Sequence, residues 1–519
     1  WPLRVTELNS NTAFLGSIIV GNGINFGIVL LARYAEERRA GAASREALVV
    51  AVWGARVGTL SAALAAGVSY ASLALTDFRG FRQFGFIGGL GMLLSWALAF
   101  VLMPSLAAWV DRAERLPPRR GNWMVALAEL TQRHRTMVVA AAALLAVGAS
   151  WELRAFGSGQ IETDFSKLRR ADTWVSGEGY WGRQMDDLLG TYVTPTAILA
   201  DDETQARAIG RVLSEKVKQP PLAEMVASVR TLDDVVPADQ DAKITLVAQI
   251  REDLSPKIRA SLTDAQRKAV DRFLGNGPLH PVTAAELPET FTTGLRERDG
   301  SIGRAVLVFP KPGHLLWEGP PLAAFVTQLR SAASTVTSPA ERPARVAGSL
   351  ALSSDILASI RRDGALASGA AFAGVVVVVL LLLRANRSTA LVVGSLLLGV
   401  LWLAGAMMAF GIKINFANFI AYPITFGIGV DYAVNVASRW ELDGRRSMAE
   451  AVRTTGGAVT LCSLTTIIGY SSLLLAENRA LFLFGMLAVL GEVACLSTAV
   501  VVLPAVVEWL QSSRARAEA

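Results

Sequence analysis

The sequence predicts a polytopic α-helical membrane protein with an α+β extracytoplasmic domain and an internal duplication. Three observations predict it. Uncharged apolar runs such as 364–383 and 388–410 reach the roughly 20 residues a helix needs to cross a bilayer. A single long polar stretch, 152–363, interrupts them, and ordered matches relate the two ends of the chain. The composition agrees: 52% of the 519 residues are hydrophobic and 18% charged, below the charged share of about 25% in soluble domains.

In chain order, residues 1–110 hold three spans, at 11–31, 55–75 and 84–110. A charged loop with Arg33, Glu36, Glu37, Arg38, Arg39 and Arg45 joins the first two, and Asp77 to Arg82 joins the second to the third. A basic connector, 111–135, carries Arg112, Arg115, Arg119, Arg120, Arg133 and Arg135. Within it, Trp123, Leu127 and Leu130 are spaced to form the apolar face of a short interfacial helix. A fourth span, 136–151, precedes the polar region 152–363. Five spans follow within 364–510, at 364–383, 388–410, 416–437, 456–476 and 481–510, and a tail at 511–519 ends the chain.

The basic loops 33–45, 111–135, 384–387 and 439–453, with Arg514 and Arg516 of the tail, belong on the cytoplasmic side by the positive-inside rule. The loop 76–82 interrupts the alternation, with Arg79 and Arg82 beside Asp77. The region 152–363 then falls on the far side, the periplasm in a bacterium. The net charge of +6 becomes a topology signal rather than a nucleic-acid footprint, and no nucleic-acid partner is expected.

The polar region reads as α+β. Strands are expected at 195–200 and 305–309, followed by helices at 202–217 and 321–333. Residues 345–348 lead into a helix that starts at Ala351 and runs toward span five, and helical patterns cover 242–253 and 263–274. Strands alternating with helices in this way suggest split βαβ units.

Cys462 and Cys495 lie in apolar spans, so neither a disulfide framework nor a cysteine-rich metal site is implied. His134, His280 and His314 lie outside the spans, which leaves no imidazole relay in the membrane. The sequence shows no metal spacing, nucleotide loop or nucleophile–base arrangement, so the expectation is a protein that is not an enzyme and holds no metal or organic cofactor.

The most informative stretch is 416–436, inside a span. Asp431 is its one carboxylate, with Tyr432 beside it. A charge at bilayer depth is costly and faces a bundle interior or an aqueous path. Asn435 and Gly427 share a helix face with Asp431. Gly427 and Gly429 let neighbouring helices approach closely. Pro423 lacks an N–H and crowds the carbonyl of Phe419, so a kink is expected there. The plainer reading of Asp431 is a hydrogen bond across helices that only holds the bundle.

Gly21 to Phe26 (Gly-Asn-Gly-Ile-Asn-Phe) matches Gly427 to Tyr432 (Gly-Ile-Gly-Val-Asp-Tyr). Asn9 matches Asn415, and Arg33-Tyr34 matches Arg439-Trp440. Further on, Asp77-Phe78-Arg79 matches Glu477-Asn478-Arg479, Phe84-Gly85 matches Phe484-Gly485, Pro104 matches Pro504, and Trp109 matches Trp509. Gly21 and Gly23 are thus the counterparts of Gly427 and Gly429. By repeat symmetry roughly 270 residues of the first half are expected upstream of Trp1, giving twelve spans and two extracytoplasmic domains in all. The chain then reads as an N-terminally truncated fragment.

With the Gly-x-Gly-x-Asp-Tyr motif, the repeat, the large loop followed by five spans, and the terminal Leu503-Pro504, the chain resembles the resistance–nodulation–division (RND) superfamily. It is most similar to the MMPL-type branch of lipid exporters, and within it to hopanoid-type exporters. The resemblance implies a porter-like fold for 152–363 and two central spans, 11–31 and 416–437, that face each other and carry a proton relay. Asp431 and Tyr432 match its second-half pair, whereas Asn25 and Phe26 stand at the first-half positions. Asn25 cannot exchange a proton, so one titrating carboxylate, hydrogen-bonded by Asn25, is expected. Taking a carboxylate out of water disfavours its charged form, so proton loading and release would change the favoured helix packing.

Glu492 is a second intramembrane carboxylate, and its repeat partner is Met92. It either extends the relay or pairs locally. Thr465 and Thr466 either supply hydroxyls or bond their own backbone, and Arg56 is expected to snorkel at a span end.

The leading function is proton-driven export of lipids or other hydrophobic molecules from the bacterial inner membrane, with protons as the coupling ion. Expected partners are membrane lipids, the hydrophobic substrate, and a periplasmic protein or a second copy of the chain. Alternatives are drug or small-solute efflux, a sterol-sensing-like regulatory membrane protein, and an auxiliary of protein translocation.

Overall fold

The computed structural model describes residues 12, 15–111, 123–236, 239–275, 277–283, 286–292, 295–338, 342–445 and 447–518. Asn9, Arg112, Arg115, Arg119, Arg120 and the side chains of Arg514 and Arg516 lie outside the described residues. The chain forms two compact units. One runs up to Asp172 and resumes at Asp355; the other is Thr173–Ser354.

The first unit begins with α1 (Leu15–Arg39), α2 (Ser44–Ala71), α3 (Arg79–Val110), a short α4 (Trp123–Arg133) and α5 (Arg135–Glu152). In the second unit come α6 (Glu178–Leu189), β1 (Thr196–Leu199), α7 (Glu203–Lys216) and β2 (Val226–Arg230). Then follow α8 (Gln240–Asp253), α9 (Pro256–Ser261), α10 (Asp264–Leu274), β3 (Ala305–Pro310), α11 (Gly319–Ser334) and β4 (Arg345–Ala347). The rest is helical: α12 (Ser349–Leu383), α13 (Arg387–Ala409), α14 (Ala421–Leu442), α15 (Met448–Ser471), α16 (Arg479–Ser497) and α17 (Leu503–Glu518).

Among the described residues, nine helical stretches are long and apolar enough to cross a membrane. Their positions follow the apolar runs of the sequence, but several helices extend past them. The loop expected at 33–45 is helical to Arg39 and helical again from Ser44, and the one at 439–453 shrinks to the few residues between Leu442 and Met448. Charge runs hid these turns. Arg33 pairs with Glu36 and Glu37 at 2.8 and 2.7 Å, and Arg439 with Asp443 at 2.8 Å, the three- and four-residue spacings that support a helix.

α14 is the central helix: 89% of its apolar window is buried, against 17% for α3 and 11% for α5. Pro423, where a kink is expected, lies just past a change of helix type. A short 3₁₀ turn, Asn418–Ile420, precedes α14, and Pro423 falls in the first turn of the helix, where its missing N–H has no intrahelical partner to lose. Pro504 instead follows a π-helical turn, Thr498–Val502, that joins α16 to α17, a common place for a local irregularity beside proline.

The duplication is visible in detail. Both α2 and α15 end in a 3₁₀ turn, Ser72–Leu75 and Ser472–Leu475, and the next helices start at Arg79 and Arg479. The ring pairs Tyr70–Phe84 and Tyr470–Phe484 have the same centroid separation, 6.1 Å. The expected direct facing of the two central spans takes a crossed form. α14 packs along α2 and α1 packs along α15, while α1 and α14 meet through side chains, with Arg439 reaching Glu36 at 3.0 Å.

The elbows of the two repeats are held by different residues. The Asp77 backbone N–H donates to Asp363 at 3.0 Å, Ser359 donates to the same carboxylate oxygen at 2.8 Å, and Arg362 pairs with both Asp363 and Asp77. At the second elbow Arg170 pairs with Glu477 at 2.6 Å. Asp363 is buried and Asp77 is exposed. Asp363→Ala is therefore expected to cost about 1–3 kcal/mol by stranding two donors, whereas Asp77→Ala leaves no buried group unpaired and shifts stability far less. Thermal unfolding in detergent checks the difference.

The short helix expected in the connector forms as α4. Met124, Ala128 and Thr131 are buried, with α4 packed on α15, while Trp123 and Leu130 are exposed. Arg56 is exposed and stacks over Trp53 at 3.6 Å from the ring centre.

In the second unit, β1, β2, β3 and β4 form one antiparallel sheet in the order β2-β3-β1-β4. β1-α7-β2 and β3-α11-β4 are each a split βαβ unit, which together make a ferredoxin-like arrangement. The apolar stripes of α7 (Ala206, Ile209, Leu213) and α11 (Leu322, Phe325, Leu329) are buried, as are Ile198, Val306 and Val308 of the sheet. Asp202 caps α7 by accepting from Gln205 at 2.7 Å. The helices α8 to α10 are inserted between β2 and β3.

Candidate proton-relay site in the membrane unit

Glycines let α14 approach its neighbours. A Cβ on Gly427 would lie 2.7 Å from the backbone Cα of Ala66 on α2, and one on Gly429 would lie 3.1 Å from Cys495 Cβ on α16. Gly23 closes α1 onto Ser95 of α3, where a Cβ would lie 2.8 Å from the serine Cβ. Gly21 does not share this role: a Cβ there meets only Thr465 O, at 4.0 Å, an ordinary contact. Gly427→Val is thus expected to destabilise the bundle by about 1–3 kcal/mol through overpacking, with Gly21→Ala near neutral. The melting temperatures of the two variants decide it.

On this frame α14 presents Asp431, Tyr432 and Asn435, all buried. The Asn435 amide donates to the carboxylate of Asp431 and, at 3.0 Å, to the Asp431 carbonyl. One helix over, Tyr432 donates its hydroxyl to Glu492 of α16. Glu492 is 5% and Asp431 7% exposed, and they lie within electrostatic reach of each other. Among the described residues neither carboxylate pairs with a cation. An ionised carboxylate in that setting carries a desolvation cost of several kcal/mol.

Asn25 is buried on α1 but does not bond Asp431. Its amide donates to Thr466 at 3.4 Å and its carbonyl oxygen accepts from Thr465 at 3.3 Å, both on α15. The crossed packing explains the correction, because α15 is the helix that lies along α1. Thr465 also bonds its own backbone, at Cys462 O, at 2.7 Å. Both cysteines are buried and free.

Sequence reasoning missed Asn22, Tyr70 and Tyr470. Asn22 of α1 donates to the Tyr70 hydroxyl of α2 at 3.3 Å, and Tyr470 of α15 lies within electrostatic reach of Tyr70 and Glu492. The signal was available: Tyr70 and Tyr470 are separated by the same 400 positions as Pro104 and Pro504.

A duplicated helical bundle with uncompensated carboxylates at its centre, joined to a ferredoxin-like domain, defines a multi-pass membrane protein of the RND type. The chain belongs to the MMPL family, whose profile matches residues 4–145 and 197–518. It is similar to the hopanoid transporter HpnN of Rhodopseudomonas palustris, 22% identical over 565 residues, which cover 97% of this chain and 62% of that protein. It is also similar to HpnN of Burkholderia multivorans, 24% identical over 567 residues, which cover 99% of this chain and 62% of that protein. The chain thus spans about three-fifths of the length of these relatives. Among solved structures, SecDF, a translocon-associated membrane protein from Thermus thermophilus, superposes with a TM-score of 0.51 at 16% identity. That match covers 95% of this chain and 54% of SecDF, and it speaks for the fold alone.

Proposed function

We propose that the chain is the proton-coupled membrane unit of an exporter of lipids or other hydrophobic molecules in the bacterial inner membrane. The observation that carries this reading is the pair of buried carboxylates, Asp431 and Glu492, without a cation at the centre of the bundle. A carboxylate that must be neutral to be comfortable and charged to release its proton biases helix packing with each cycle. Asn435 holds Asp431, and Tyr432 ties Glu492 to the same helix. Arg39, Arg45, Arg135, Arg387 and Arg453 stand at helix ends that the order of the spans assigns to one face of the membrane, which favours the cytoplasm for that end and the periplasm for residues 173–354.

The names of the two HpnN relatives favour a lipid cargo. So does a cavity of about 460 Å³ at the opposite end of the bundle, walled by Ile161, Ile360, Gly364, Phe419 and Tyr422 with Arg361 beside them. Its size and apolar walls suit a hydrophobic ligand. The full-length protein in lipid vesicles under an imposed pH gradient tests the reading. Lipid extraction that collapses with a protonophore is expected; extraction indifferent to the gradient overturns proton coupling. Lipid profiles of a deletion strain, set against its drug sensitivity, separate lipid export from solute efflux.

A further inference from the structure

At the basic end of the bundle two cavities lie side by side between the repeats. The inner one, about 50 Å³, is walled by Glu36 of α1, Gly58 of α2, Asn435, Ser438 and Arg439 of α14, and Ala458 of α15. The outer one, about 530 Å³, is a groove between α1 and α15. The two share Ala32, Glu36, Thr454 and Ala458.

The inner end of this path touches the relay. Asn435 walls the cavity and also holds the Asp431 carboxylate. Its carbonyl oxygen has room because residue 58 is glycine: a Cβ there would lie 2.9 Å from Asn435 Oδ1. One turn on, the Ser438 hydroxyl oxygen is buried on the same wall without a protein partner. Buried hydroxyls are almost always hydrogen-bonded, and a polar cavity of this size exceeds the about 10–15 Å³ that one water needs.

The neck carries an ion pair between the repeats. Glu36 belongs to both cavities and receives Arg439 at 3.0 Å and Arg33 at 2.8 Å. Arg439 is held in turn by Asp443, at 2.8 Å, and Arg33 by Glu37, at 2.7 Å. The pair is half-buried, with the Arg439 side chain 14% and the Glu36 side chain 37% exposed, so it closes the neck while one edge stays open to water.

We infer that the two cavities connect past the residues they share and form the water path from the Asp431 site to the aqueous phase at the basic end, with Asn435 as inner gate and Glu36–Arg439 as outer latch. The inference rests on the proton-carrying reading of Asp431. It assigns Asn435 and the ion pair as positioning residues, since they act on the proton through access.

Thiol accessibility tests it without requiring transport. Cys462 and Cys495 are buried, so the parent protein supplies a low background. In Ser438→Cys, a small membrane-impermeant methanethiosulfonate applied to the basic-end side of sealed vesicles is expected to label the new thiol. Glu36→Gln in that background should raise the labelling rate about fivefold, the change expected when the net worth of one hydrogen bond at the neck is lost. Gly58→Leu should suppress it, and Ala458→Leu, which fills the neck from the opposite helix, should do the same if Gly58→Leu misfolds. No labelling with or without Glu36→Gln, labelling only from the other side, or a rate indifferent to all three substitutions overturns the path. Proton flux through Asp431→Asn keeps the two readings apart. A labelled path with undiminished flux in that variant leaves the cavity wet but overturns its role as an outlet. An unlabelled path with flux abolished removes the outlet and leaves the relay standing.

Discussion

Asp431→Asn is expected to abolish pH-driven cargo movement while leaving the bundle folded. Asn matches Asp in shape, and Asn435 still finds a carbonyl oxygen to donate to at the Asp431 position. The substitution also removes a buried carboxylate that has no cationic partner, so stability is expected to hold or to rise. What disappears is the exchangeable proton. Loss of a group that transfers protons costs about 10²–10⁴ in rate, so transport should fall at least about a hundredfold while the melting temperature stays within a few degrees of the parent. A pH-sensitive dye inside the vesicles reports proton entry, and calorimetry or dye binding in detergent reports the fold. Asp431→Asn that moves cargo at the parental rate would return Asp431 to a purely structural role.

Much of this architecture was legible in the chain because bilayer physics writes it plainly. A span must be about 20 apolar residues, and the duplication repeats small and aromatic residues at fixed offsets. Helix ends were not legible. Beyond Leu31 the residues turn charged, yet the helix continues to Arg39 because Arg33, Glu36 and Glu37 pair along it. β2 was missed because Val226 to Arg230 carries Ser228 and Arg230 among its five residues and follows directly on a short helical turn, Leu222–Met225. At the site, the residues of one helix were found by spacing, whereas partners across helices depended on which spans pack together. Asn25 was assigned to Asp431 on the assumption that α1 and α14 face each other, and the crossed packing gave it to Thr465 and Thr466 instead.

The lopsidedness of the two repeats is itself a prediction about Tyr432 and Glu492. Repeat symmetry sets Phe26 against Tyr432 and Met92 against Glu492, and all four are buried. One half thus carries a hydroxyl donating to a carboxylate, and the other carries two apolar residues in the matching places. Either pair is self-consistent, and mixing them is not. Glu492→Met alone takes the carboxylate acceptor from the buried Tyr432 hydroxyl and is expected to cost about 1–3 kcal/mol. Tyr432→Phe alone leaves Glu492 without its donor, at a similar or larger cost, because charged groups lose more. Tyr432→Phe with Glu492→Met installs in the second repeat the pair the first already holds, and should recover most of that stability. The four melting curves form a double-mutant cycle, and a coupling of about 0.5–3 kcal/mol is the range for residues in contact. Transport should follow the opposite pattern. The double variant is stable but keeps one of the two buried carboxylates, so if Glu492 carries a proton its pH-driven activity should match that of Glu492→Gln, which keeps an acceptor for Tyr432 and loses only the proton. If the stability effects add, Tyr432 and Glu492 are not a unit. If the double variant transports as the parent does, Glu492 holds Tyr432 in place and carries no proton.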